Sequence, residues 1–358
     1  MLSVSSAEKR NGTGNSQMHM QNNKETTVKF IIVGCGRIAE RHAEHIAKLG
    51  HLVAVCDVKP ERVRLFTQKY GAQGFIDIDA LLLAHLDADV VSVCTPNGLH
   101  AEHSIKALRA GYHVICEKPM ALSVSDCERM IMEAEKSGKK LFIVKQNRFN
   151  PPVVETKRLI DEGKLGEILS VQLNCFWNRN EGYYKTSDWK GTRALDGGVL
   201  YTQFSHFIDL LYWMFGEVEE VTAHVGNSNH PYTEIDDHGV AVVKFANGVI
   251  GTIHFSTNAH KKNLEGSITI FGEKGTVKVG GEYLNVLEHA SVEGYTPPEL
   301  PAGVANDYGT YKGSMSNHDK VYQNVLAVLK ENAPISTSGM EGLKTVAIIR
   351  KIYDSSGF

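Results

Sequence analysis

The sequence predicts an α/β protein of two domains: a doubly wound parallel sheet, then an α+β domain with a large open, mostly antiparallel sheet. Three observations carry this prediction. Residues 28–146 alternate short apolar runs with helical spacing, the pattern of a parallel sheet with helices on both faces. Beyond Gly166, strand-like segments follow one another with few helices between. A chain of 358 residues is also too long for one ordinary core.

The opening element sets the rest. Phe30-Ile31-Ile32-Val33 runs into Gly34-Cys35-Gly36-Arg37-Ile38-Ala39, which reads as a strand, a glycine turn and the start of a helix. Gly34 permits a tight turn, Gly36 lets a pyrophosphate approach the backbone, and Ala39 lets helix and strand pack closely. The helix N-terminus at Arg37 and Ile38 then faces the phosphates. A second apolar run, 52–56, ends at Asp57, about 20 residues beyond the glycines. A carboxylate there receives the adenosine ribose hydroxyl and repels a 2′-phosphate. Turn, spacing and acid together point to NAD bound on a Rossmann domain at 28–146.

The alternation continues with a helix at 61–70, a short strand at 74–76, a helical turn or two at 80–85 and a buried strand at 90–94. A helix at 100–110, a strand at 113–116, a helix capped by Ser123 and a strand at 141–144 follow. Ligands of such sheets gather at the carboxyl ends of the strands. Those ends carry Asp57, Thr95-Pro96-Asn97, Glu117-Lys118-Pro119 and Lys145-Gln146-Asn147-Arg148. Lys118 is the most informative of these, because a lysine at the mouth of a buried strand can lose pKa through desolvation and serve in proton transfer.

In the second domain, 147–358, strands are expected at 168–177, 218–225, 238–245, 249–258, 267–271 and 276–279. Asn247-Gly248 reads as a type I′ hairpin turn and 272–275 as a second hairpin connection. One apolar helix, 199–215, interrupts them and carries Thr202, Gln203, His206 and Asp209 as a polar stripe, with 202 and 206 on one face. The segment 291–315, with three prolines and several glycines, reads as a surface loop, and 318–330 and 340–353 as amphipathic helices.

Composition excludes several classes. With 42% apolar and 22% charged residues and no apolar run near the roughly 20 residues that span a bilayer, a globular cytoplasmic protein is expected. A net charge of −3 argues against a nucleic-acid partner. Residues 1–27 have the composition of a disordered tail. The six cysteines show no C-x-x-C spacing and read as reduced, packed thiols. His42/His45 and His100/His103 have no neighbouring carboxylate or cysteine to complete a set, so no metal is expected.

The glycine turn, Thr95-Pro96-Asn97 with His100, and Glu117-Lys118-Pro119 resemble the glucose–fructose oxidoreductase/inositol dehydrogenase/MocA (Gfo/Idh/MocA) family of NAD(P)-dependent sugar dehydrogenases, over residues 28–355. The resemblance implies that Lys118 lies beside nicotinamide and substrate, that Pro119 follows a cis bond, and that Thr95, Pro96, Asn97, His100 and Glu117 belong to the cofactor site. It also implies that His206 is an acid–base residue, and that the open sheet assembles a dimer or tetramer. The chain departs from the family in placing Thr202 where an aspartate usually stands, so the proton work is expected to fall to Lys118 and His206.

Further strings, among them Lys145-Gln146-Asn147-Arg148-Phe149-Asn150, Asp188-Trp189-Lys190-Gly191-Thr192 and Asp196-Gly197-Gly198, resemble one branch of that family. That branch is the WlbA-type UDP-N-acetyl-2-amino-2-deoxy-D-glucuronate dehydrogenases of bacterial lipopolysaccharide O-antigen biosynthesis. The implied reaction is oxidation of the C3 hydroxyl of a UDP-linked amino sugar uronic acid, with a 2-oxo acid as a candidate acceptor that regenerates NAD in place. An anionic substrate needs cationic or polar partners, for which Lys145, Asn147, Arg148 and Arg193 are candidates. Thr202, Gln203 and Tyr184 are expected to contact the sugar, and Trp189 and Lys190 the cofactor.

Overall fold

The computed structural model describes residues 27–301, 305–307 and 312–358; all but the last residue of the expected tail lies outside them. The first sheet contains β1 (Lys29–Val33), β2 (His51–Cys56), β3 (Gln73–Phe75), β4 (Val90–Val93), β5 (His113–Cys116) and β6 (Leu141–Ile143). Between them lie α1 (Arg37–Leu49), α2 (Pro60–Tyr70), α3 (Ile78–Leu83), α4 (His100–Arg109) and α5 (Val124–Ser137). All pairs are parallel, in the order β3-β2-β1-β4-β5-β6. β1 is a near-continuous apolar run because it is central and covered on both faces. Ser123 caps α5 as expected, its hydroxyl accepting from the Asp126 amide at 3.1 Å. The strand order reverses between β1 and β4, which opens a crevice at the carboxyl ends of the strands.

After α6 (Pro151–Asp161) the chain enters a sheet through β7 (Ile168–Phe176), then makes three short or medium helices, α7 (Glu181–Tyr184), α8 (Val199–Thr202) and α9 (Ser205–Phe215). The sheet continues with β8 (Val218–Gly226), β9 (His238–Phe245), β10 (Ile250–Ser256), β11 (Glu265–Gly272), β12 (Gly275–Gly280) and β13 (Val286–Val292). Its order is β13-β12-β11-β7-β10-β9-β8, antiparallel except between β10 and β7. Along β9, Ala241, Val243 and Phe245 face the core while Val240, Val242 and Lys244 face outward, the period-two signature of a sheet covered on one side.

Three expectations are corrected. The helix expected at 199–215 is broken: α8 ends at Thr202 and α9 begins at Ser205, so Thr202 and His206 share a wall of the crevice without sharing a helix face. The Asn247-Gly248 turn is not type I′, because Gly248 has φ +91° while Asn247 stays at negative φ. It is a type I turn closed by a left-handed glycine, with the Gly248 amide donating to the Phe245 carbonyl at 2.9 Å. The segment 291–315 is not all loop: it contains the end of β13 and the hairpin of β14 (Ala305–Asp307) and β15 (Lys312–Met315).

The two C-terminal helices, α10 (His318–Glu331) and α11 (Gly339–Ser356), return to the first domain. Tyr322 of α10 packs its ring 5.5 Å from that of Phe30, and Ser338 at the head of α11 bridges to Phe142 of β6. α11 begins with a capping box between Ser338 and Glu341. Among the described residues, no helix is long and apolar enough to cross a membrane.

Candidate active site

A cleft of about 630 Å³ runs along the carboxyl ends of the parallel strands and under the loops of the second domain. Its first half is the glycine turn. Gly34 sits at φ +92°, and a side chain there would meet the Cys94 and Thr95 backbone at 2.7–2.8 Å. A Cβ on Gly36 would project into open space at the cleft wall. Gly36 is the N-cap of α1 and offers no capping side chain, so this helix N-terminus meets the cleft without a side-chain cap. Asp57 closes this half, its carboxylate accepting from the amides of Cys35 and Lys59, both at 2.8 Å. Open cradle, uncapped helix and fixed carboxylate fit the pyrophosphate and ribose of NAD.

The other half holds the reactive groups. The Lys118–Pro119 bond is cis. Lys118 Nζ donates to the Thr202 carbonyl at 2.8 Å. That carbonyl is free because α8 stops there; in an unbroken helix the amide of residue 206 would occupy it. Burial pulls the Lys118 pKa down, and Glu117 opposes the shift. His206 is 2% exposed, lines the cleft, and has no hydrogen-bond partner for either ring nitrogen among the described residues. Burial, then the positive charges of Lys118 and Lys145, push its pKa well below the usual range, so the ring is neutral near pH 7. His100 is wedged between the carbonyls of Pro119 and Thr95, at 2.7 and 2.8 Å, tying the Lys118 loop to the Thr95-Pro96-Asn97 loop.

Glu117 accepts from His42 and His318 at 3.0 and 3.2 Å, and its second oxygen accepts from the Lys118 amide at 3.0 Å. His42 therefore does have a carboxylate within reach, brought from a distant strand. The His42–Glu117–His318 group spans 4.8 Å, and these hydrogen bonds, with His42 Nδ1 also 2.8 Å from the Tyr322 hydroxyl, account for its arrangement.

The structure brings together at the cleft Gly34, Gly36, Arg37, Ile38, Asp57, Thr95, Pro96, Asn97, His100, Glu117, Lys118, Trp189, Lys190, Thr202, Gln203 and His206. Five expected substrate contacts do not line it. Arg148 is 4% exposed and makes a bidentate pair with Asp209, both bonds 2.8 Å, and a further ion pair with Glu341. Lys145 lies 3.4 Å from the same Asp209 and donates to Thr345. Asn147 is buried and accepts from Ser314, while Tyr184 is buried among Tyr183, His230 and Tyr232. Arg193 is exposed, held to Glu234 and Phe358. Arg148 and Lys145, candidates by charge, are engaged by the buried Asp209.

Two residues that were not singled out as contacts, Arg179 and Gln146, line the cleft, and a third, Asp196, stands behind it. Arg179 lines the cleft with its guanidinium 4.9 and 5.1 Å from the ring centres of Trp177 and Tyr183 and a 2.7 Å bond to Gln203. Gln146 lines it with a buried side-chain oxygen that has no hydrogen-bond partner among the described residues. Asp196, just behind the wall, accepts the Thr202 hydroxyl. Near Arg179, Lys190 sits 3.9 Å from the Tyr183 ring centre, and burial with Arg37 and Arg179 lowers its pKa to about 8.

Residues 28–145 match the family model of an oxidoreductase with an NAD-binding Rossmann fold, and residues 153–278 match the Gfo/Idh/MocA C-terminal domain. The WlbA dehydrogenase of Bordetella pertussis, crystallised with NADH and UDP-GlcNAcA, superposes with a TM-score of 0.84 at 36% identity, over 93% of this chain and 97% of that one. The chain belongs to the Gfo/Idh/MocA family. WlbA of Chromobacterium violaceum, also solved with NADH and UDP-GlcNAcA, superposes equally well at 35% identity, over 93% of this chain and 95% of that one. A 1-carboxy-3-chloro-3,4-dihydroxycyclohexa-1,5-diene dehydrogenase from Comamonas testosteroni is 32% identical over 62% of this chain, which spans only 56% of that protein. NAD is thus the cofactor class of the first domain, while substrates differ among relatives.

Proposed function

We propose that this protein is an NAD-dependent dehydrogenase that oxidises the C3 hydroxyl of UDP-N-acetylglucosaminuronic acid to the ketone. The observation that carries this reading is the continuity of the cleft. It runs from the NAD-binding strand mouths past Lys118 and His206 to the cations Arg179 and Lys190, in a chain similar over most of its length to enzymes crystallised with NADH and that sugar. When bound, NAD⁺ supplies the hydride acceptor. His206, neutral and unpartnered, takes the hydroxyl proton as the C3–H hydride leaves, and the C–O bond becomes a carbonyl. Lys118, as an ammonium, holds the same oxygen and stabilises its developing charge. Arg179 and Lys190 receive the carboxylate or diphosphate of the substrate.

The product, a 3-keto sugar, suits a later transamination in O-antigen sugar synthesis, and a 2-oxo acid could reoxidise the cofactor in place. The six cysteines are buried and free, in keeping with a reducing cytoplasm. Val240, Val242, Ile250 and Phe271 stand exposed on the outer face of the second sheet, which supports a homodimer or homotetramer packed through it.

The test is absorbance of reduced nicotinamide on mixing protein, NAD⁺ and UDP-N-acetylglucosaminuronic acid, with UDP-N-acetylglucosamine and a 2-oxo acid in parallel. NADH formed from the acid, or hydroxy acid formed from the 2-oxo acid, supports the reading. Lys118→Met should then abolish turnover while NADH still binds; near-normal activity in that variant would remove Lys118 from the mechanism.

A further inference from the structure

We propose that Asp196, acting through Thr202, is the carboxylate that positions and charge-balances Lys118, in place of an acid at position 202. This rests on the reading of Lys118 as the group that holds the reacting oxygen. Thr202 offers no charge of its own, but both of its polar ends are engaged. Its hydroxyl donates to Asp196, and its carbonyl, freed by the break between α8 and α9, accepts from Lys118 Nζ at 2.8 Å. The Asn97 side-chain amide clamps the pair, donating to the Thr202 hydroxyl at 2.7 Å and to the Asp196 carbonyl at 2.9 Å. On its far side the Asp196 carboxylate accepts from the Gly191 amide at 2.9 Å. The carboxylate is therefore held from several directions, with one of its ligands forming the seat of the lysine.

Asp196 is 1% exposed and does not line the cleft, so it acts as a positioning residue. The charges that face Lys118 are Glu117 and Asp196, which favour the ammonium, and Lys145 and Arg179, which oppose it, while the titratable rings of His206 and His100 also couple to it. Besides Lys118, the charged groups Lys190 and Asp236 interact with Asp196. Burial raises the Asp196 pKa to about 6, so the carboxylate is predominantly ionised at neutral pH and above. Removing its charge leaves the two opposing cations less balanced, and Lys118 must then lose its proton at lower pH.

The experiment compares wild type with Asp196→Asn, Thr202→Val and Thr202→Ser. Two readouts are taken. One is kcat and KM with UDP-N-acetylglucosaminuronic acid across pH; the other is the Lys118 titration in the NAD-saturated protein, followed by ¹⁵N NMR of labelled lysines and assigned with Lys118→Met. Asp196→Asn should lower kcat at least about tenfold with KM within about threefold, and move the Lys118 midpoint and the alkaline limb of kcat/KM down by on the order of one unit. Thr202→Ser, which keeps the hydroxyl, should keep the Lys118 midpoint of wild type; Thr202→Val should lose kcat as Asp196→Asn does. Should Asp196→Asn fail to fold, Thr202→Val still removes the link. An unchanged Lys118 midpoint together with unchanged kcat in the folded variants overturns the proposal. If wild type oxidises no UDP-sugar acid, the substrate assignment falls, and the Lys118 titration alone decides the role of Asp196.

Discussion

Asp209→Asn tests whether the cations near the strand mouths are ligands or structure. Asp209, Arg148 and Lys145 are 1%, 4% and 1% exposed and form a closed group, with Thr345 donating to Asp209 at 3.1 Å. Burial alone would raise the Asp209 pKa, but Lys145 and Arg148 outweigh it and hold the carboxyl at about 2, against an unperturbed 3.8. That depression contributes on the order of 2 kcal/mol to stability at neutral pH. Removing one partner of a buried ion pair costs about 3–5 kcal/mol in comparable cases; Lys145 loses its anion while Arg148 keeps Glu341, so a loss at the low end, about 3 kcal/mol, is expected, or a fall in melting temperature of roughly 5–10 °C. Trp213, whose ring centre lies 5.3 Å from the Arg148 guanidinium, gives a fluorescence probe of the group.

The pH dependence has a defined sign. Because the folded pKa is depressed, the contribution is complete above about pH 5 and fades as pH falls from about 4 through 2, so variant and wild type converge in acid. Arg148→Ala should likewise destabilise while leaving KM for the UDP-sugar acid within about threefold in the folded enzyme. A fully stable Arg148→Ala with KM raised a hundredfold would show that Arg148 reads substrate after all.

Other outcomes follow from single sites. Gly34→Ala should cost about 3 kcal/mol or more and abolish the fluorescence change on NADH binding, because its Cβ would sit 2.7 Å from the Cys94 backbone at φ +92°. Asp236 is fully buried, with one oxygen lacking a hydrogen-bond partner among the described residues and its pKa pushed up to about 7 by burial. Its folded pKa lies above the unfolded one, so it weakens the fold as pH rises from about 4 through 7; Asp236→Asn should gain on wild type by on the order of 2 kcal/mol at pH 8 relative to pH 5, read as melting temperatures. Arg179→Gln should raise KM for the UDP-sugar acid about tenfold or more and narrow its preference over UDP-N-acetylglucosamine; an unchanged preference would place the carboxylate elsewhere.

Properties set by near neighbours along the chain were determined by the sequence alone. Strand, glycine turn and helix at 28–39 depend on an apolar run and on glycines at fixed spacing, and the order of alternating elements then dictates a parallel sheet whose ligand crevice lies at the strand ends. Asp57, Lys118 and the Thr95-Pro96-Asn97 loop were placed because they end buried strands, and they do line the cleft. What sequence could not decide is which charged side chains remain for a ligand. Arg148 is taken by Asp209 and Glu341, 61 and 193 positions away, and that choice is made only when α9 and α11 close over the strand mouth. Likewise Asp196 and Gln146 lie in strings the sequence singled out, but neither those strings nor the surroundings of Arg179 assign these side chains a part in the site. Their roles arise from a helix break that frees one carbonyl and from loops that converge in space, and pairing of buried charges is a property of the packed chain.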